Sequence, residues 1–253
     1  MKKLILAIII FSLLSITVMA EDQINAIYIT GIGCPNCAVT DLYILTNLTD
    51  QYPNLLIFEY EIYHEKSNQE FAQLYFDSYI PGRQPGVPFL LFNKDQNAIG
   101  RIEVLNAESL ITTQDLSQFP LANGVLVNYD ELDLTFLPGR LNIWTKDRVI
   151  INQKGTTGEN IKLLLSTDNI PETLKTIDHA VIDPISVPIS GGEIKFKNTV
   201  KIGDTFLFWE RGETDIDPTN PDDTPKNSNL IYFIIAAVIL ILILYFKPKK
   251  KKK

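Results

Sequence analysis

The feature that most limits what this chain can fold into lies between residues 26 and 48. Ala26-Ile27-Tyr28-Ile29 is a short apolar run ending in Thr30-Gly31-Ile32-Gly33, which reads as a buried strand entering a glycine turn. Cys34-Pro35-Asn36-Cys37 follows, and Ala38, Leu42, Leu45 and Leu48 then recur at helical spacing on what should be one face. Strand, tight turn and helix are thus forced into succession, with two cysteines at the junction. Gly33 suits the strand exit, and Pro35 suits the first helical turn, where its missing N–H costs nothing. Cys34 then sits beside unpaired backbone N–H groups at the positive end of the helix dipole, an arrangement that favours a thiolate. Cys37, one turn further in, is the better shielded sulfur. In thiol–disulfide exchange such a pair divides the labour: Cys34 attacks and Cys37 resolves the mixed disulfide.

Two other uses of a C-x-x-C pair compete with this one. Zinc wants four ligands, whereas the chain holds no third cysteine and only two histidines, His64 and His179. No metal is therefore expected. A purely structural disulfide fits an oxidising compartment, but so short a loop stabilises little, and a helix start is a poor place to hide a staple.

The rest of the first half continues an α/β pattern. Tyr52-Pro53-Asn54 ends the helix. In the following strand Phe58, Tyr60 and Ile62 alternate with Glu59 and Glu61, which predicts one wetter face. Ser67-Asn68-Gln69-Glu70 has the form of a capping box and opens a second helix carrying Phe71, Leu74, Tyr75 and Tyr79. After the loop ending in Gly86-Val87-Pro88 come an apolar strand from Phe89 to Phe92, a turn, a strand from Ala98 to Val104 and a short helix near residues 107–116. The β-α-β opening implies a right-handed parallel crossover and a sheet with helices on both faces.

Residues 24–118 resemble the thioredoxin and glutaredoxin superfamily. The resemblance rests on strand, Gly-x-Gly-Cys-Pro-Asn-Cys, helix, and then Gly86-Val87-Pro88 just before an apolar strand. It implies that Cys34 and Cys37 are the redox pair, that Pro88 is a cis-proline facing them, and that the backbone before it, at Val87, pairs with a substrate peptide. It implies no cofactor. The chain departs from thioredoxins proper at Gly33, where they have tryptophan, and at Pro35-Asn36, where they have Gly-Pro. It also has Tyr28 where they carry a buried strand aspartate. Glu59 and Glu61 are candidates for that acid's proton-accepting role, the alternative being a solvated strand face.

Residues 121–209 carry short alternating runs at Leu132–Phe136, Leu141–Trp144, Arg148–Asn152, Ile161–Leu165, Val181–Ile189, Glu193–Lys197 and Thr205–Trp209, separated by turn signals. They read as a small β-sandwich or barrel, with one helical turn at Pro171–Ile177. Asp178-His179 is a possible catalytic couple, but a satisfied surface histidine explains it as well. Trp144 and Trp209 fit a binding face, but core packing is the default reading. A spacer, a partner-binding module and a lid for the thiol site all fit this region.

The two ends set the expected compartment. Lys2-Lys3, the apolar run Leu4–Val18 and Val18-Met19-Ala20 form a secretory signal pattern over residues 1–20. Residues 210–229, rich in proline and acid, read as a solvated stalk. The charge-free run Leu230–Phe246 would rise roughly 26 Å as a helix, near the thickness of a bilayer, and the polylysine tail at 247–253 should stay cytoplasmic. Residues 1–20 and 230–253 contain no acid, so all 30 acidic residues of a chain with net charge −7 fall between them. A body that acidic repels phosphate backbones, so nucleic acid is not expected as a partner. Asn47-Leu48-Thr49 matches an N-glycosylation acceptor.

The sequence thus predicts an α/β thioredoxin-like domain over residues 21–120, a separate mostly-β domain over 121–209 and a single transmembrane helix over 230–246. The expected activity is a membrane-tethered, extracytoplasmic thiol–disulfide oxidoreductase. Its expected partners are protein thiols or disulfides, a membrane electron donor or acceptor, and the lipid bilayer. The alternative is a binding module, or a carrier of a soft metal such as Cu(I) on the two thiolates.

Overall fold

Strands β1 (Ile24–Thr30) and β2 (Leu55–Glu61) lie parallel, in register from Ile24↔Leu55 to Thr30↔Glu61. Helix α1 (Pro35–Leu42) begins the crossover between them and continues through a π-helical stretch, Tyr43–Leu48, into a last turn at Thr49–Gln51. These two strands are the centre of the computed structural model of the protein, which describes residues 23–111 and 116–216. Helix α2 (Ser67–Tyr79) follows β2. Strand β3 (Phe89–Leu91) then returns antiparallel to β1, and β4 (Asn97–Ile99) pairs with β3. Two short helices, α3 (Arg101–Leu105) and α4 (Glu108–Ile111), close this half. The strand expected to run from Ala98 to Val104 breaks at Gly100, whose φ of +80° suits glycine, and the rest is α3. The Ser67 capping box does not form either. Ser67 is the first helical residue, and its hydroxyl donates to Glu65 at 2.7 Å.

A two-stranded ribbon, β5 (Gln118–Pro120) with β6 (Leu126–Asn128), leads into the second half. There β7 (Asn142–Trp144) and β8 (Arg148–Ile151) precede helices α5 (Gly158–Ser166) and α6 (Ile170–Leu174). The chain ends in β9 (Ala180–Ile182), β10 (Ser186–Ile189), β11 (Gly192–Ile202) and β12 (Thr205–Ile216).

The expected division into a thioredoxin-like domain followed by a separate β-sandwich or barrel is overturned. Strand β7 pairs antiparallel with β2, Ile57 opposite Trp144 and Glu59 opposite Asn142. One mixed sheet of ten strands results, in the order β10-β11-β12-β8-β7-β2-β1-β3-β4, with β9 also on β11. The physical reason is the open flank of β2. Pairing with β1 satisfies one edge only, and the residues of β2 are almost all buried, so its other edge needs a protein partner. Two runs read as strands are not strands. Ile161–Leu165 lies in α5, whose first turn is capped by the Thr157 hydroxyl accepting from Asn160 N–H. Leu134–Phe136 is a 3-10 turn capped by Asp133. Residues 210–216, read as the start of a stalk, complete β12. The expected signal segment, the rest of the stalk, the expected membrane span Leu230–Phe246 and the lysine tail lie outside the described residues. Among those described, no helix is long and apolar enough to cross a membrane.

The alternation of the central strands sends side chains into two layers. On one side Ile27, Ile29, Leu56, Phe58, Tyr60 and Ile143 pack with residues of α2, α5 and α6. On the other, Ala26, Tyr28, Leu55, Ile57 and Trp144 pack with Ile44, Leu45 and Leu48 below α1 and with Val104 of α3. The second layer carries the two cysteines at one end.

Candidate functional site

The chain leaves β1 through Gly31-Ile32-Gly33, and Gly33 adopts φ +92°. Cys34 is the N-cap of α1, in extended conformation, and Pro35 is the first helical residue. The Cys34 Sγ accepts the Cys37 N–H at 3.3 Å, so the sulfur takes the place that a capping oxygen usually fills. The two cysteines approach to 2.7 Å and are free thiols. Cys37 is fully buried and Cys34 is 6% exposed, while Pro35 and Asn36 face solvent. Burial, and after it the contact with Cys34, pushes the Cys37 thiol well above its ordinary range.

Tyr63, which the sequence did not single out, lies beside Cys34. Its hydroxyl pairs with the Cys34 sulfur. Its ring lies on Gly31, where a Cβ would come within 2.7 Å of it. Tyr63 is itself 52% exposed, so it shields the sulfur from outside rather than from within the core.

Behind the cysteines lies a buried polar layer. Asp41, one turn beyond Cys37, is completely buried. It accepts from the Tyr28 hydroxyl at 2.7 Å, the Thr30 hydroxyl at 2.6 Å and the Ser190 backbone N–H at 2.7 Å. Burial pushes its carboxyl up to about 6, against the pull of those donors. The Thr30 hydroxyl also reaches the Cys37 thiol. One hydroxyl therefore stands between the resolving sulfur and a carboxylate. Tyr28, in the position where a strand aspartate was considered, is instead a donor to an aspartate on the facing helix. The signal for it was present: an acid four residues beyond Cys37 shares its helix face, and Tyr28 and Thr30 share one strand face.

Neither glutamate considered for the proton-accepting role has a free carboxylate near the thiols, and neither lies on a solvated strand face. Glu59 is 2% exposed. It accepts from Asn142 Nδ2 at 3.0 Å and from Trp144 Nε1 at 2.5 Å, which stitches β2 to β7. Burial, and next the nearby Asp41 charge, raises it to about 8. Glu61 accepts the backbone N–H groups of Ile32, Tyr63, His64 and Glu65. Burial works against its charge, but these donors prevail and hold the carboxyl below its usual value. Glu61 thereby fixes the cysteine turn and the Tyr63 loop to each other.

Pro88 directly precedes β3. Pairing of β3 with β1 runs from Phe89↔Ile29 to Leu91↔Ile27, so Pro88 is level with the end of β1 from which the cysteine turn departs. The Val87–Pro88 bond is cis. Pro88 is buried, Val87 half-buried, and the Pro88 carbonyl accepts the Gly100 N–H at 2.8 Å. The remaining candidates lie elsewhere. His179 pairs with the Ile177 carbonyl. Asn47 is exposed, but the Thr49 hydroxyl of its triplet is buried and bonded to helix carbonyls. Among the described residues, no cluster of three or more His, Cys, Asp or Glu side chains is arranged to hold a metal ion.

No family model, curated protein or solved structure matches this chain. What the site can do is accordingly argued from its own atoms. A capping sulfur, a buried partner sulfur and a carboxylate reached through one hydroxyl are the parts that a two-thiol exchange centre needs.

Proposed function

We propose that Cys34 and Cys37 form a thiol–disulfide exchange centre acting on protein thiols or disulfides. The observation that carries this reading is the Cys34 Sγ capping α1 and accepting the Cys37 N–H. A sulfur held there lies at the outer end of the pair, with its resolving partner one helical turn deeper. In the reducing direction the Cys34 thiolate attacks one sulfur of a substrate disulfide. A mixed disulfide forms and the other substrate sulfur leaves as a thiolate. Cys37 then gives its proton to Thr30 as Thr30 passes its own to Asp41, and the Cys37 sulfur attacks Cys34 Sγ. The Cys34–Cys37 disulfide forms and the second substrate thiolate departs. The substrate has gained two electrons and the protein pair has lost two, which a dithiol partner restores. The oxidising direction is the same sequence reversed.

Tyr63 must swing aside to admit a substrate, since Cys34 is nearly covered in the resting state. The apolar segments at residues 4–18 and 230–246 support a location outside the cytoplasm beside a membrane, where protein disulfides form. The test is insulin reduction and oxidative refolding by the intact protein. Activity is expected to vanish in Cys34→Ser, and a mixed disulfide with a substrate is expected to accumulate in Cys37→Ser. Wild-type protein performing no better than Cys34→Ser would overturn the reading.

A further inference from the structure

The last three strands of the sheet do more than extend it. Strand β10 is at the far edge from β4, yet the turn between β10 and β11 reaches back to α1. The Ser190 N–H donates to Asp41 Oδ2 at 2.7 Å, and the Ser190 hydroxyl reaches the carbonyls of both Gly31 and Cys34 at 3.0 Å. One residue thus grips the acid behind Cys37 and both ends of the turn that presents Cys34. The approach is close enough to require glycine beside it: a Cβ on Gly191 would lie 2.5 Å from the Ala38 carbonyl oxygen, a backbone atom of α1. The same group of strands holds the far end of this helical segment. Arg211 of β12 donates to the Leu45 carbonyl at 2.9 Å and pairs with Asp50. The two grips differ in kind. Arg211 touches the Leu45 carbonyl, the Thr49 hydroxyl and Asp50 at the end of the helical segment away from the cysteines, whereas Ser190 touches the groups that flank the reacting sulfurs.

We propose that Ser190 is a positioning residue of the thiol centre, and that the β10–β11 turn carrying it sets how fast Cys34 attacks and at what pH Cys37 then resolves the mixed disulfide. The proposal rests on the exchange reading above and gives the second half of the chain a part in it. The Ser190 hydroxyl keeps the Gly31–Cys34 turn closed, so the helix amides stay aimed at the Cys34 sulfur. The Ser190 N–H favours the charged form of Asp41, the form that can take a proton from Cys37 through Thr30. Losing that donor makes Asp41 hold its proton to higher pH, and resolution must then wait for higher pH.

The experiment uses the full chain with glutathione as the probe. The reduced protein is mixed with glutathione disulfide, the Cys34–glutathione adduct is trapped by acid quench, and its resolution by Cys37 is followed by mass from pH 5 to pH 8. In that step the Cys37 sulfur displaces glutathione thiolate and the pair becomes a disulfide. Ser190→Ala is expected to slow attack by Cys34 about fivefold, the measure of one hydrogen bond. Gly191→Ala, which pushes the whole turn off α1, is expected to move the midpoint of the resolution profile to higher pH. Arg211→Gln is the control, expected to lower the melting temperature while leaving attack rate and pH profile unchanged. If Ser190→Ala and a folded Gly191→Ala keep wild-type rates and midpoint, the proposal is wrong. It is equally wrong if all three variants change the rates in proportion to lost stability. Should Gly191→Ala fail to fold, an unchanged attack rate in Ser190→Ala decides against the proposal. A wild-type pair that never exchanges with glutathione overturns the exchange reading itself, an outcome distinct from the others.

Discussion

Strand β2 presents two contrasting faces. Leu56, Phe58 and Tyr60 enter a layer of aromatic and aliphatic side chains, with Phe58 edge-on to Phe119 and Tyr60 beside Tyr75. Leu55 and Ile57 begin the opposite face as apolar residues, but the strand then turns to Glu59 and Glu61, next to Tyr28, Thr30 and Asp41. One face consists of contacts whose strength is nearly independent of pH. The other holds carboxyl groups whose charge is decided by burial and by a few donors. The same backbone therefore supplies rigidity on one side and titratable chemistry on the other, within a strand of seven residues.

The contrast predicts how each face fails. The largest effect is expected from Phe58→Ala, which opens a cavity in the aromatic layer. It should cost about 4 kcal/mol in urea unfolding, equally at pH 5 and pH 8. A strongly pH-dependent loss would break the distinction between the faces.

Glu59→Gln tests the other side. The folded protein holds the Glu59 proton up to about 8, while the unfolded chain releases it near the ordinary carboxylate value, so the native state binds the extra proton in between. Its stability is then full below about pH 4.5 and falls as pH rises through about 8. Glutamine keeps the acceptor for Trp144 and Asn142 without the charge. The variant should match the wild type near pH 4.5 and exceed it by several kcal/mol at pH 9. Parallel stability curves would show that Glu59 ionises without penalty.

Asp41→Asn should slow resolution by Cys37 about 100-fold above pH 6, the scale of a lost general base, and leave it nearly unchanged at pH 5, where Asp41 already holds its proton. Equal slowing at both pH values would mark Asp41 as a packing residue only. The smallest effect concerns the outer cover. Tyr63→Ala should raise the rate of Cys34 alkylation by iodoacetamide about fivefold, in line with the dependence of thiol reactivity on access, while Tyr63→Phe should not. Equal rates in both variants and the wild type would show that the ring does not shield the sulfur.

How much of this was legible in the sequence follows from the range over which each signal acts. The strand, turn and helix around Cys34 were legible because glycine, proline and apolar spacing act within a few residues. The buried face of that helix was misjudged. Ala38 and Leu42 were expected inside, yet Cys37, Thr40 and Asp41 take that place. Hydrophobic periodicity cannot report a buried acid whose partners, Tyr28, Thr30 and Ser190, come from elsewhere. The pairing of β7 with β2 was illegible for a related reason. Alternation says that Leu141–Trp144 is a strand but not which edge it joins. The bond from Trp144 to Glu59 spans 85 residues of chain. The helix at Gly158–Ser166 was missed because its run of Ile and Leu, taken without its Thr157 cap, looks like a strand.

The seam between β2 and β7 also bears on how the protein can be cut or grafted. A fragment stopping near residue 120 would carry the Cys-Pro-Asn-Cys segment intact and still not be a working module. Trp144, Asn142 and Ser190 would be missing, Glu59 would lose both side-chain partners and Asp41 one of three donors. Transplanting the dithiol therefore means transplanting its distant buttresses along with it.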